Sequence, residues 1–268
     1  MAYNPYGGGL RGWFESIPPV TRNLIIINLL IWIIEAVSDS FGSSLIDLLG
    51  LHFFWGFSGC DFNPIQPVTY MFIHDQHYFL HVGFNMFTLY MFGRIIEHQW
   101  GAKRFLLYYF VCGIGAALVQ ELVWYLTWHS EFIDKIADQI TMRLTPDRME
   151  YYLSTQPEIF GPLMDQFRNS LITIGASGAI FGILLAFAFM FPDMPLYFMF
   201  IPMPIKAKYM VAGYAVLEFF LGVSSYGGSV AHFAHLGGLL FGLIMLLWWR
   251  HRERQKNGGR RNPFSGKF

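Results

Sequence analysis

The sequence predicts an all-α membrane protein. Three observations carry that prediction. Hydrophobic residues make up 54% of the chain and charged residues only 13%, where an average soluble domain carries about 25%. The mean hydropathy is +0.39. The apolar residues are gathered into six runs, each able with its flanks to cross the ~30 Å of a bilayer's hydrocarbon. The formal net charge is zero, and neither a nucleic-acid partner nor a cofactor is expected.

The N-terminal residues 1–22 form a polar tail punctuated by Gly and Pro. No short apolar stretch there ends in a small-residue cleavage site, so no cleavable signal is expected. Leu24 to Val37 is the first span. Glu35 near its end reads as an interfacial residue or a partner for another helix. Residues 38–77 hold four aspartates, no Lys or Arg, and the cluster Phe53-Phe54-Trp55-Gly56-Phe57. That is a lipid-interface composition, and it predicts a loop lying on or partly in the bilayer. Tyr78 to Ile96 is the second span, with His81 and Asn85 inside it and Gly93, Glu97 and Gly101 following at a spacing of four. Phe105 to Trp128 is the third, with Gly113, Gly115, Ala116 and Ala117 for close packing.

Residues 129–170 differ in kind. They concentrate acidic and basic side chains, and Phe132, Ile133, Ile136, Ile140 and Leu144 recur at helical spacing. A soluble insertion of one or two helices is predicted, too short to form a domain with its own core. Ile172 to Phe191 is the fourth span, Tyr209 to Val223 the fifth and Val230 to Trp249 the sixth, with Pro195, Pro202 and Pro204 marking the connection before the fifth. The chain thus divides into a tail (1–22), a six-span domain (23–250) that includes the insertion, and a basic tail (251–268). Cys60 and Cys112 lie too differently, one in a loop and one in a span, to be expected as a disulfide.

Orientation follows from Lys and Arg. Of 18 such residues, all but Lys135, Arg143, Arg148 and Arg168 fall in the tails, at Arg250 beside the C-terminal tail, or in the loops 94–104 and 192–208. Basic residues stay on the cytoplasmic side, so both termini are expected there, and a bacterial inner membrane is the expected setting. Ser177, His81 and His235 then share one depth near the outer ends of three different spans.

Polar side chains at membrane depth are costly and tend to be functional. Ser177 sits in Gly175-Ala176-Ser177-Gly178, whose small residues admit a close approach. Packing alone accounts for many such motifs. A serine nucleophile needs a base, and His235 is the candidate. Gly238 and Gly242 lie on its helix face, and that face can press on span four. His232, one turn earlier, is a competitor without the glycine pair in register. Asn85 and His81, one turn apart, are neutral donors suited to a developing oxyanion. The alternative for each is an interhelical hydrogen bond. His74, His77 and His81 also have a metal-like spacing. The expected carboxylate base is missing, however, and no metal site is expected.

Taken in order, His81-x-x-x-Asn85, Gly93-x-x-x-Glu97-x-x-x-Gly101, Gly175-x-Ser177-Gly178 and Ala234-His235-x-x-Gly238-x-x-x-Gly242 resemble the rhomboid family of intramembrane serine proteases. The resemblance covers about residues 20–250. It implies a six-transmembrane-helix bundle with a membrane-embedded first loop, residues 38–77, and a helical extramembrane insertion between spans three and four. It implies Ser177 as nucleophile and His235 as base and then acid. Asn85, His81 and the Ser177 backbone N–H would form the oxyanion hole, supported by Gly175, Gly178, Phe181, Gly238 and Gly242. Span five with residues 224–229 would be the substrate gate. The chain departs from the family in three ways. The Trp-Arg pair of the first loop is missing, so that loop must be held differently. Phe181 stands where some members have Tyr; it can stack on His235 but has no hydroxyl to donate. The insertion is unusually long.

The function implied is an endopeptidase acting on transmembrane protein substrates within the lipid bilayer. The alternative is a catalytically inactive rhomboid-like protein that binds membrane helices; the retained serine and histidine speak against it. A transporter is disfavoured because no inverted repeat is evident. The insertion is expected beside the mouth of the site, its apolar stripe docked on the bilayer or on the bundle.

Overall fold

A computed structural model describes residues 10–39, 44–54, 61–139, 146–198, 201–224 and 232–256. A short helix α1 (Leu10–Glu15) precedes α2 (Pro19–Asp39), which covers the first apolar run. The first connection holds α3 (Leu45–Leu49), the two-residue strand β1 (Leu51–His52), α4 (Gln66–Thr69) and a 3-10 turn at Tyr70–Phe72. Its residues 55–60, with Trp55, Phe57 and Cys60, lie outside the described residues. Helix α5 (Phe79–Thr88) runs through a π turn at Leu89–Gly93 into α6 (Arg94–Trp100). Next comes α7 (Ala102–Gln139), then α8 (Pro146–Thr155) and α9 (Pro157–Asn169), strand β2 (Ile172–Thr173) and α10 (Ser177–Met190). A hairpin of β3 (Pro195–Phe198) and β4 (Ile201–Lys206) leads to α11 (Ala207–Ser224), and α12 (His232–Lys256) ends the described chain.

Four stretches, Pro19–Ser38, Phe79–Trp100, Ala102–Lys135 and His232–Gln255, are long and apolar enough to cross a membrane. Their outward faces carry large exposed apolar side chains, among them Leu30, Ile33, Ile34, Phe87 and Leu126. Such surface is tolerated in lipid and avoided in water. The mostly helical chain therefore forms a multi-pass membrane bundle. At its centre stands α10, which has no charged residue and buries ten of its fourteen residues. A helix apolar all round belongs inside, and α10 packs on α7, α11 and α12.

Glycines let these helices meet. A Cβ on Gly238 would stand 1.9 Å from the carbonyl oxygen of Gly178, and one on Gly182 would stand 2.4 Å from the Cys112 sulfur. Tyr108 donates a hydrogen bond to the Gly182 carbonyl at 2.9 Å across the same contact. Glu97 is buried and caps the start of α2: it accepts from the Val20 and Thr21 amides at 2.9 and 2.7 Å and from the Thr21 hydroxyl at 2.8 Å. These amides are among the unpaired donors of a helix N-terminus. Gly101, at φ +78°, makes the turn into α7. Glu35, also buried, accepts from the Gln76 amide at 3.3 Å, so it partners the first connection.

The structure alters three sequence expectations. Span four does not begin at Ile172. Ile172–Thr173 pair antiparallel with Leu51–His52, and the helix starts only at Ser177. The helix of span three does not stop with the apolar run at Trp128, because α7 continues unbroken to Gln139. Two members of the insertion's apolar stripe do not face a membrane: Phe132 and Ile133 are buried with Phe160 of α9, and Tyr152, Met164 and Phe167 pack around them. Ile140 and Leu144 lie outside the described residues.

The loop that lacks the family's Trp-Arg pair is held by buried polar groups instead. Gln66 is fully buried; its Oε1 accepts from the His52 amide at 3.3 Å and its Nε2 donates to the carbonyls of Leu48 and Asp61 at 3.3 and 3.0 Å. Thr69 donates to the Leu49 carbonyl at 2.7 Å, and Glu121 of α7 accepts from the Phe54 amide at 3.0 Å. Satisfying buried backbone groups in this way is what lets an irregular segment sit against the bundle.

Candidate active site

Three helices begin at one end of the bundle, and each brings a polar side chain in its first turns: Ser177 opens α10, His81 lies in α5 and His235 in α12. The turn before Ser177 is fixed from two sides. The Gly175 amide donates to the Tyr70 carbonyl at 2.9 Å, tying it to the first connection. Gly175 itself is at φ +116°, a conformation that side-chain-bearing residues rarely adopt. Its missing side chain also makes room, because a Cβ there would lie 2.8 Å from Nε2 of His81 and 3.7 Å from the Ser177 hydroxyl. Gly178 brings the first turn of α10 against Ala116 of α7 and the Ala234 carbonyl of α12.

The Ser177 hydroxyl lies 2.7 Å from Nε2 of His235. The His235 ring is stacked on Phe181, with centroids 4.4 Å apart and planes 8° from parallel, so a phenyl ring suffices to fix the imidazole plane. A cavity of about 870 Å³ opens beside the pair, lined by Ser177, His235, His81, Asn85, Phe181 and Tyr214 among others.

His81 receives the Asp75 amide on Nδ1 at 3.4 Å. With Nδ1 accepting, the neutral ring carries its proton on Nε2, the atom that faces Gly175 and Ser177. Asn85 donates one amide hydrogen to the His81 carbonyl at 2.8 Å, and its second remains for another acceptor. Ser177 is the first residue of α10, so its backbone N–H is one of the unpaired donors at that helix end.

The metal-like histidines do not share a helix. Helix α5 starts at Phe79, after both His74 and His77; His77 is exposed, and the buried His74 ring lies edge-on to His81 at 5.1 Å. Burial pushes the His74 imidazole down to about 3, which keeps it neutral.

A rhomboid-domain family profile matches residues 61–129 and 141–252. The chain belongs to the rhomboid family. It is also 28% identical over 207 residues to "Rhomboid protein 1, mitochondrial" of Saccharomyces cerevisiae, covering 77% of this chain and 47% of that protein. The chain thus spans about half the length of the curated relative it matches. Membership makes an intramembrane-protease type of function the general expectation.

One residue near the rhomboid site stands outside the set expected from the sequence. Glu218 of α11 has a carboxylate oxygen 2.6 Å from Nδ1 of His232 and 3.1 Å from Nδ1 of His235. His232 is therefore turned to this carboxylate, and His235 is the histidine at Ser177. Glu218 carries the same kind of signal that singles out His81, a lone polar group inside an apolar run.

Proposed function

We propose that this rhomboid is an active intramembrane serine endopeptidase that hydrolyses peptide bonds in or near transmembrane segments of membrane-protein substrates. The observation that carries the reading is the 2.7 Å contact between the Ser177 hydroxyl and His235 Nε2, beside a cavity whose wall also carries His81 and Asn85.

The proposed chemistry follows from that contact. Nε2 of His235 takes the Ser177 proton as the oxygen attacks the substrate carbonyl. The oxyanion would be met by Nε2–H of His81, the second amide hydrogen of Asn85 and the Ser177 backbone N–H, and such donors are most effective in a site shielded from bulk water. The imidazolium then gives its proton to the leaving amine. Water attacks the acyl-enzyme, with His235 again as base.

The membrane setting fits six spans: α2, α5 with α6, α7, α10, α11 and α12. At 1.5 Å per residue α10 is only about 21 Å long, short of the ~30 Å hydrocarbon layer. With its C-terminal end at the inner surface, its first residue, Ser177, would lie below the outer surface, just after β2, which pairs with β1 of the first loop. A substrate helix must unwind to offer its peptide bond to Ser177, and it can do so only inside the cavity, since lipid offers freed peptide groups no hydrogen bonds. The bias of basic residues suits a bacterial inner membrane with both termini cytoplasmic. A helix-binding rhomboid without activity would not need serine and histidine in hydrogen-bond contact.

The test is cleavage of a single-span reporter by purified protein in lipid. Ser177→Ala is expected to abolish cleavage while the protein stays folded and inserted. Turnover at the unsubstituted rate would remove Ser177 as nucleophile.

A further inference from the structure

We infer that Glu218 is a positioning residue for the base, so that the working unit is Ser177, His235 and Glu218, with His232 holding the carboxylate in place. The inference rests on the serine-protease reading above and adds to it a third group, supplied by a different helix.

For Nε2 of His235 to accept from Ser177, the neutral ring must carry its proton on Nδ1. That nitrogen is shut off from solvent and has no hydrogen bond of good geometry among the described residues. A buried N–H without an acceptor is costly. The carboxylate oxygen of Glu218 stands 3.1 Å away, within reach though not yet aligned. Catalytic hydrogen bonds are often poorly aligned before substrate binds and tighten afterwards.

Charge points the same way. When His235 takes the serine proton it becomes a cation inside an apolar bundle, and an unpaired charge there is unfavourable. Glu218 supplies the opposite charge on the side of the ring away from Ser177. Its own position is fixed, because Nδ1 of His232 meets the same oxygen at 2.6 Å and both side chains are nearly buried, at 12% and 11% exposure. His232 has no such contact with Ser177; its part is to hold the carboxylate.

The placement has a structural consequence. Glu218 stands on α11 and both histidines on α12, so the carboxylate reaches the base only while α11 rests against α12. Drawing α11 away would leave His235 free to take the other tautomer, with its proton on Nε2, which cannot accept from Ser177.

The test compares Glu218→Gln, Glu218→Asp and Ser177→Ala with the unsubstituted protein on the reporter, reading kcat and KM separately. Glu218→Gln is expected to lower kcat by about 10- to 1000-fold, somewhat less than the ~100- to 10,000-fold of a general base lost outright, with KM within about twofold because substrate contacts are untouched. Glu218→Asp keeps the charge one methylene further back and is expected to recover at least part of the lost kcat. If Glu218→Gln leaves kcat unchanged, or Asp recovers nothing, the positioning role is overturned while Ser177-dependent cleavage still stands. Cleavage that persists in Ser177→Ala overturns both readings. Should Glu218→Gln fail to fold, the pH profile of kcat in Glu218→Asp decides: a rising limb displaced to lower pH, because the more distant carboxylate holds less of a proton on His235, supports the role, and a profile identical to that of the unsubstituted protein overturns it.

Discussion

Gly175 faces Nε2 of His81 so closely that a single methyl group on it would lie 2.8 Å from that nitrogen. The glycine of the Gly-x-Ser-Gly run therefore has two physical reasons to be glycine, its φ of +116° and the room it leaves for an imidazole. Gly175→Ala is expected to cost about 1–3 kcal/mol of stability from backbone strain. It should also displace His81 and lower kcat by about 10-fold or more, the scale of a weakened oxyanion donor. Gly213→Ala is the control, since a Cβ there meets nothing within 4 Å. Equal kcat in the two variants would show that the contact with His81 has no part in the reaction.

The donors of α5 are predicted to act together. Asn85 uses one amide hydrogen to hold the His81 carbonyl at 2.8 Å, so removing its side chain disturbs both groups. Asn85→Ala is expected to lower kcat by about 10- to 1000-fold, and Asn85→Ala with His81→Ala by less than the product of the single effects. Reporter kinetics check this. Unchanged kcat in both single variants and the double would make α5 purely structural.

The first connection should depend on Gln66. Replacing it by Ala leaves the His52 amide and the carbonyls of Leu48 and Asp61 without their buried partner. Each orphaned group costs about 1–3 kcal/mol. Thermal unfolding in detergent is expected at a clearly lower Tm, with earlier proteolysis of the segment 44–69. A Tm within about one degree of the unsubstituted protein would contradict this anchoring.

The insertion is predicted to modulate substrate access. Arg168, at its end, stacks over Trp128 at 4.0 Å, and β2 and Ser177 follow within a few residues. Replacing residues 131–168 by a short Gly/Ser linker removes α8, α9 and their apolar cluster together. Cleavage of a transmembrane reporter should then change several-fold, while reaction of Ser177 with a small probe stays near normal. Identical reporter kinetics would leave the insertion a passive spacer, as long surface insertions cost little loop entropy.

These residues also indicate what the sequence could express. Ser177, His81, Asn85 and His235 were legible because each is a polar group interrupting an apolar run. The stacking of Phe181 on His235 was legible only through the family resemblance, which sets Phe181 where some members have Tyr. Glu218 bore the same signal, but its partners lie on another helix, and only the docking of α11 on α12 reveals them. The start of α10 at Ser177 was hidden because residues 171–174, Leu-Ile-Thr-Ile, carry no charge and read on into the apolar run. A two-residue strand has too few residues to show a period, and its partner, Leu51–His52, is more than a hundred positions away. The extent of α7 was missed for the opposite reason. Its charged continuation looks like a boundary in composition, yet no proline or glycine stops the helix.

The most direct test of the account is the reaction of the purified protein with a fluorophosphonate, with the modified residue mapped by mass spectrometry. The account predicts a single adduct on Ser177, absent in Ser177→Ala and formed far more slowly in His235→Ala, because the hydroxyl then loses its base. Labelling of Ser177 at the same rate without His235, or a reactive serine elsewhere in the chain, would contradict it.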